Sequence, residues 1–151
     1  MQTLEITYIA AKVEANGSFA FCQKLNDFLS DLKLCHLFTT NINLHKIYGD
    51  LYESLSDSFD ELEEEIIGLT KNNCNNFLTK EFLDNFCQNR ITETSDDYKN
   101  TYFSITDGLT NLLNTQEFKN FVNTQEKSGL NNTLEEIYSS INKANYLIGL
   151  C

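Results

Sequence analysis

The sequence contains no proline and no tryptophan, a single methionine, and only 6 glycines in 151 residues. Proline is the residue a helix interior tolerates least, so its absence removes the commonest cause of helix termination and permits long helices. Basic residues are also scarce: 11 Lys and Arg stand against 22 Asp and Glu, a formal net charge of −11. The few cations are scattered, which excludes the basic stripe that direct contact with nucleic-acid phosphates requires. No stretch approaches the roughly 18 consecutive apolar residues of a membrane span. Met1 to Ala11 lacks the basic start and apolar run of a secretory signal. The expectation is a cytoplasmic protein that binds neither membrane nor nucleic acid. P-loop, GxSxG and GxGxxG motifs are missing too, which argues against a nucleotide-binding enzyme or a hydrolase.

The 5 cysteines, Cys22, Cys35, Cys74, Cys87 and Cys151, form no CxxC pair. A zinc knuckle or thioredoxin-like motif is therefore not expected. Cys22 and Cys35 fall in apolar helical patterns and read as buried, reduced thiols. Asn16-Gly17-Ser18 and Asn131-Asn132-Thr133 match the glycosylation sequon, which carries little weight without a secretory signal.

Hydrophobic residues make up 41% of the chain, enough for one domain spanning residues 1–151 with a core of its own. Residues 1–16 read as a lead-in, with Thr3 to Ala10 either a short strand or extra helix. Asn16-Gly17-Ser18 reads as a turn and N-cap. Cys22, Leu25, Leu29, Leu32 and His36 then recur at steps of three and four, one face of a helix over about 18–38. Phe19, Phe28, Cys35 and Leu37 widen that stripe, and residues 39–43 break it. The clearest element follows, roughly His45 to Leu69. Its inner stripe is His45, Tyr48, Tyr52, Leu55, Phe59, Leu62, Ile66 and Leu69, opposite Glu53, Asp57, Glu61 and Glu64.

A short helix capped by Thr79 is expected through Phe86. A long helix over about 96–125 comes next, capped by Ser95 or Asp96 and kinked near Asn114-Thr115. A last helix, about 130–149, is expected to be capped by Asn131 or Asn132. Four long amphipathic helices with one short middle helix predict an all-α four-helix bundle.

Both histidines, His36 and His45, fall on the inner stripes of their helices in this reading. Asp60 and Glu64 are four residues apart, so their carboxylates leave the helix on one side. Two imidazoles and two carboxylates make a mixed nitrogen and oxygen set suited to Fe(II), Zn(II) or Mn(II). The same acids also read as a solvated charged face.

The stretch from Leu34-Cys35-His36 through Leu44-His45 to Asp60 and Glu64 resembles the miniferritin family that protects DNA during starvation, the Dps proteins. The last helix, Asn132 to Leu150, and the short helix near Thr79–Phe86 are similar to that family's fourth helix and its B–C connection. The resemblance implies a ferritin-like four-helix bundle that assembles into a hollow homo-oligomer, a dodecamer. It also implies that Fe(II) is oxidised by peroxide or oxygen and sequestered. His36 and His45 would bind iron, with Asp60 and Glu64 supplied by a symmetry-related subunit.

Three positions depart from the family pattern. The loop between the histidines is about three residues shorter, and Leu37 replaces a tryptophan. Gly49 stands where an acidic ligand is usual; Asp50, the adjacent alternative ligand, is rotated by about 100°. The family's lysine-rich DNA-binding tail is missing from the N-terminal segment. Dps-like bundles also occur in phages, and a viral origin, with the host cytoplasm as location, would suit this Asn-rich chain. The alternative function is a non-catalytic bundle of viral origin that has lost the metal site and acts through protein interactions.

Overall fold

A computed structural model describes residues 2–72, 83, 96–125 and 128–151, with side chains described from residue 17 onward and excluding 71 and 72. The described residues are all-helical: α1 (Gln2–Phe38), α2 (Ile42–Asn72), α3 (Lys99–Leu113), α4 (Gln116–Asn123) and α5 (Leu130–Gly149). Helix α2 packs on α1 and α5, and α3 on α1. The core runs down their shared interior through Leu25, Leu32, Leu55, Leu62, Ile137 and Ile141, all buried. Ring contacts tie the layers: Phe28 with Phe59 at 5.9 Å, Tyr48 with Tyr102 at 5.6 Å, and Phe21 stacked on Phe118 at 5.4 Å. Among the described residues no helix is long and apolar enough to cross a membrane.

Helix α1 begins well before the expected boundary. It continues through Asn16-Gly17-Ser18, so neither the turn nor the cap expected there forms. Ser18 instead meets the Thr70 hydroxyl at 3.1 Å, across to α2. A glycine inside a helix costs about 1 kcal/mol, too little to stop a helix with long neighbours and no proline. The stripe on α1 is also narrower than expected. Phe28 and Cys35 are buried, but Phe19 and Leu37 are exposed.

Helix α2 starts at Ile42, three residues early. Asn41 caps it, its Oδ1 accepting from the Asn43 and Leu44 amides at 2.9 and 3.2 Å. The expected helix over 96–125 is two helices. Thr115 ends the first, its hydroxyl donating to the Leu112 carbonyl at 3.0 Å, and caps the second by accepting from the Phe118 amide at 3.3 Å. The N-cap of α3 is Tyr98, with no side-chain cap bond, rather than Ser95 or Asp96; Asp96 lies just ahead, its Oδ2 accepting from the Asn100 amide at 2.9 Å. Neither Asn131 nor Asn132 caps α5, whose N-cap is Gly129; the Leu130 amide turns to Ser128 Oγ at 3.4 Å. The short helix expected over 79–86 lies outside the described residues except for Leu83, which is helical and buried. Cys22, Cys35 and Cys151 are free; Cys35 is buried and Cys151 exposed. Burial, helped by the Asp31 charge, pushes the Cys35 thiol up to about 12.

The corner before α3 fastens the α1–α2 hairpin. Asp97 and Tyr98 both have left-handed backbones, φ 57° and 69°, a conformation that costs a bulky residue roughly 1–2 kcal/mol. The corner is held on three sides. Asp97 Oδ1 accepts from the Thr40 amide at 3.0 Å and its hydroxyl at 2.7 Å. The Tyr48 hydroxyl donates to the Asp97 carbonyl at 3.0 Å, and the Tyr98 side chain is buried.

The two Thr40 bonds hold the Asp97 carboxyl below its ordinary value of 3.8. A depressed carboxyl contributes stability that is complete above the unfolded-state value and fades as pH falls through the folded one. In urea melts from pH 7 to pH 3, the wild-type chain should exceed Asp97→Asn by a constant margin at neutral pH. That margin should shrink on acidification below about pH 4. A margin that is independent of pH, or grows in acid, would contradict this assignment.

Candidate functional site

Helix α1 ends at Phe38 and α2 begins at Ile42, so the tip of the hairpin has only three connecting residues. The last four carbonyls of a helix have no partner within it. Here the Cys35 carbonyl accepts from the Thr39 amide at 3.1 Å. The amide that would serve His36, that of Thr40, is committed to Asp97. The His36 carbonyl is met instead by His45 Nδ1 at 2.7 Å, and His36 Nδ1 meets the His45 carbonyl at the same 2.7 Å. The two rings cross between the helices and stack, with centroids 3.9 Å apart and planes 22° apart.

This geometry sets the chemistry of both rings. A carbonyl only accepts, so each Nδ1 carries a proton. In the neutral ring Nε2 then keeps its lone pair, the arrangement in which a backbone carbonyl orients a metal-binding imidazole. His36 is partly exposed and His45 exposed, so neither lies on the inner stripe expected of it. Each helix turns its histidine toward the other helix at the tip, beside the buried Cys35 and Leu44 that carry the core there.

Gly49 makes room for this. A Cβ built at Gly49 would lie 2.7 Å from both Cε1 and Nδ1 of His36, closer than van der Waals contact. Gly49 is one turn beyond His45, at the position facing the carbonyl that His36 seeks. In sequence it reads as a missing ligand; in the structure it is the slot for the His36 ring. Its signal was a glycine inside an otherwise unbroken helix, which usually has a packing reason. Asp97 and Thr40, distant in sequence, carried no such signal.

The other expected ligands lie elsewhere. Asp60 and Glu64 are exposed on α2. Asp60 follows His45 by fifteen residues, about 22 Å along a helix, so one chain cannot bring it to the histidines. Asp50 is exposed and lines a groove between α2 and α5. Among the described residues no group of three or more His, Cys, Asp or Glu side chains could hold an ion. The acidic run does concentrate charge. Glu63, half-buried, is raised above the ordinary carboxylate value by burial and by the Asp60 charge. Leu37, Phe38 and Ile42 expose apolar surface at the hairpin tip beside the histidines.

Comparison with protein-family models, with curated proteins and with solved structures finds no match.

Two glycines on α2 separate the packing role from helix propensity. Gly68 is exposed, and an added Cβ there would meet nothing within 4 Å. Gly68→Ala should therefore stabilise the chain by about 0.5–1 kcal/mol in denaturant melts. Gly49→Ala should gain nothing or lose stability, because the methyl group displaces the His36 ring from a hydrogen bond worth about 1 kcal/mol. Equal stabilisation by both would show that the slot is not needed.

Proposed function

We propose that the chain is a miniferritin-like four-helix bundle that binds and oxidises Fe(II) between copies of itself. His36 and His45 of one copy and Asp60 and Glu64 of another supply the ligands. Iron is the substrate and cargo. In the oxidation, hydrogen peroxide takes one electron from each of two Fe(II) ions, its O–O bond breaks to give two hydroxides, and hydrolysis of the two Fe(III) ions with two further waters to the oxyhydroxide releases four protons. The observation that carries this reading is the pair of imidazoles fixed by backbone carbonyls, each leaving Nε2 as its free basic nitrogen. Supporting it, Asp60 and Glu64 are both exposed and share one side of α2, open to a second chain. A cation there would also relieve the repulsion between Asp60 and half-buried Glu63.

One observation favours the second reading, a bundle without iron chemistry that works through protein contacts. Near-parallel stacked rings hold their lone pairs in separate planes. A single ion at about 2.1 Å from a nitrogen cannot lie in both planes unless a ring turns. On this reading the two histidines are a fastening between helices, and the exposed Leu37, Phe38 and Ile42 are a contact surface.

Anaerobic Fe(II) loading followed by peroxide distinguishes the readings. The iron reading expects oxidation well above the buffer rate, a soluble ferric product, and a loss of at least tenfold in His45→Ala and in Asp60→Asn. His45→Ala removes a fastening as well as a ligand, whereas Asp60→Asn changes only an exposed carboxylate. Oxidation at the buffer rate, or unchanged in Asp60→Asn, would sink the iron reading.

A further inference from the structure

One amide at the hairpin tip has a choice of partners. If α1 ran one rung further, the Thr40 amide would donate to the His36 carbonyl, four residues back. The Thr39 amide makes the preceding bond of that ladder, to the Cys35 carbonyl at 3.1 Å. The ladder stops there because the next two amides are diverted. That of Thr40 goes to Asp97 Oδ1 at 3.0 Å, and that of Asn41 goes to the Thr39 hydroxyl at 3.3 Å. The His36 carbonyl is left to His45 Nδ1 at 2.7 Å. One more residue of α1 would turn the chain by about 100° and advance it by about 1.5 Å. That redirects the start of α2 and draws His45 away from the carbonyl.

Asp97 holds the Thr40 amide from a strained position. Its backbone and that of Tyr98 are left-handed, φ 57° and 69°, and such conformations gather where geometry serves function. Glycine would turn the corner without strain. The residue present instead carries a carboxylate, whose Oδ1 takes both the amide and the hydroxyl of Thr40. Its carbonyl is anchored from the other side by the Tyr48 hydroxyl at 3.0 Å.

We infer that Asp97 is a positioning residue for the histidine pair: it keeps the Thr40 amide off the His36 carbonyl and so fixes His45 with Nδ1 protonated and Nε2 bare. The bond made by one imidazole nitrogen decides which nitrogen carries the proton. Released from the carbonyl, neutral His45 moves its proton through water from Nδ1 to Nε2, the tautomer a solvated imidazole favours. Nε2 then has no lone pair to offer a metal. His36 escapes this control, because its partner, the His45 carbonyl, belongs to the interior of α2. The consequence for iron rests on the function proposed above; the effect on the ring does not.

Nitrogen NMR of the metal-free full chain, labelled at its histidine rings, reads the tautomers at about pH 8, where an ordinary imidazole is neutral. The chain has only 2 histidines, and His36→Gln assigns their signals. In the wild type both rings should show a protonated Nδ1 and a bare Nε2. Asp97→Gly suits the left-handed backbone, keeps the carbonyl that Tyr48 holds and removes the carboxylate. It should lower the bare-Nε2 fraction of His45 at least twofold and leave His36 unchanged. Asp97→Asn keeps an Oδ1 acceptor for Thr40 and should preserve the wild-type pattern. Tyr48→Phe loosens the same corner without freeing the Thr40 amide, so it should lower stability and leave His45 as it was. A wild-type His45 protonated on Nε2 overturns the inference without any variant. So does an unchanged His45 in Asp97→Gly, or an equal change in Tyr48→Phe. The rings are read without iron, so the two readings fail separately. Peroxide-driven oxidation unaffected by Asp97→Gly, with the His45 tautomer altered, would count against the iron reading alone.

Discussion

The structure depends most on how the α1–α2 hairpin closes. Two helices joined by three residues leave carbonyls at the end of α1 that no backbone amide can reach. The chain satisfies one of them with the His45 imidazole and returns the bond through His36. That exchange needs both rings in one narrow space, and the space exists because position 49 has no side chain. The Asp97 corner then takes up the Thr40 amide and hydroxyl and the Tyr48 hydroxyl. With the tip held in this way, α2 presents one side to α1 and another to α5, and the core follows.

The same exchange defines what the histidines can do. Protein carbonyls hold both Nδ1 protons, so any metal chemistry is confined to Nε2. The stack opposes sharing one ion, and Asp60 and Glu64 stand several turns along α2. Among the described residues no group of three or more His, Cys, Asp or Glu side chains forms around the two histidines.

The helices were largely legible in the sequence. The three-and-four spacing of α5 places every buried residue of that helix but Thr133, and that of α2 places Tyr48, Leu55, Phe59, Leu62 and Ile66 but misses Leu44, Leu51 and Ser58, because amphipathic periodicity reflects burial on one face. What failed were local signals judged without their surroundings. Asn16-Gly17-Ser18 has turn chemistry, yet helix on both sides outweighs it. Asn114-Thr115 reads as a kink, and the Thr115 side chain in fact serves both helix ends. Histidine periodicity placed His36 and His45 in the core. It could not register that Cys35 and Leu44, each one residue before a histidine, hold the core positions at the tip, which leaves each ring to face the other helix's carbonyl. Gly49 stands where the resembled family carries an acidic ligand, and the structure adds a packing role for it, since a Cβ there would meet the His36 ring.

The hairpin tip also carries a temporal order. The histidine exchange joins residues nine apart, while the Thr40–Asp97 bonds join residues 57 apart. In an unfolded chain, closing the longer separation costs about 1.6 kcal/mol more in loop entropy. The histidine exchange is thus within reach of the hairpin alone, early in folding, whereas the Asp97 corner must wait for α3 to arrive. The left-handed strain at Asp97 and Tyr98 is taken on last, when the hairpin that must offset it already exists.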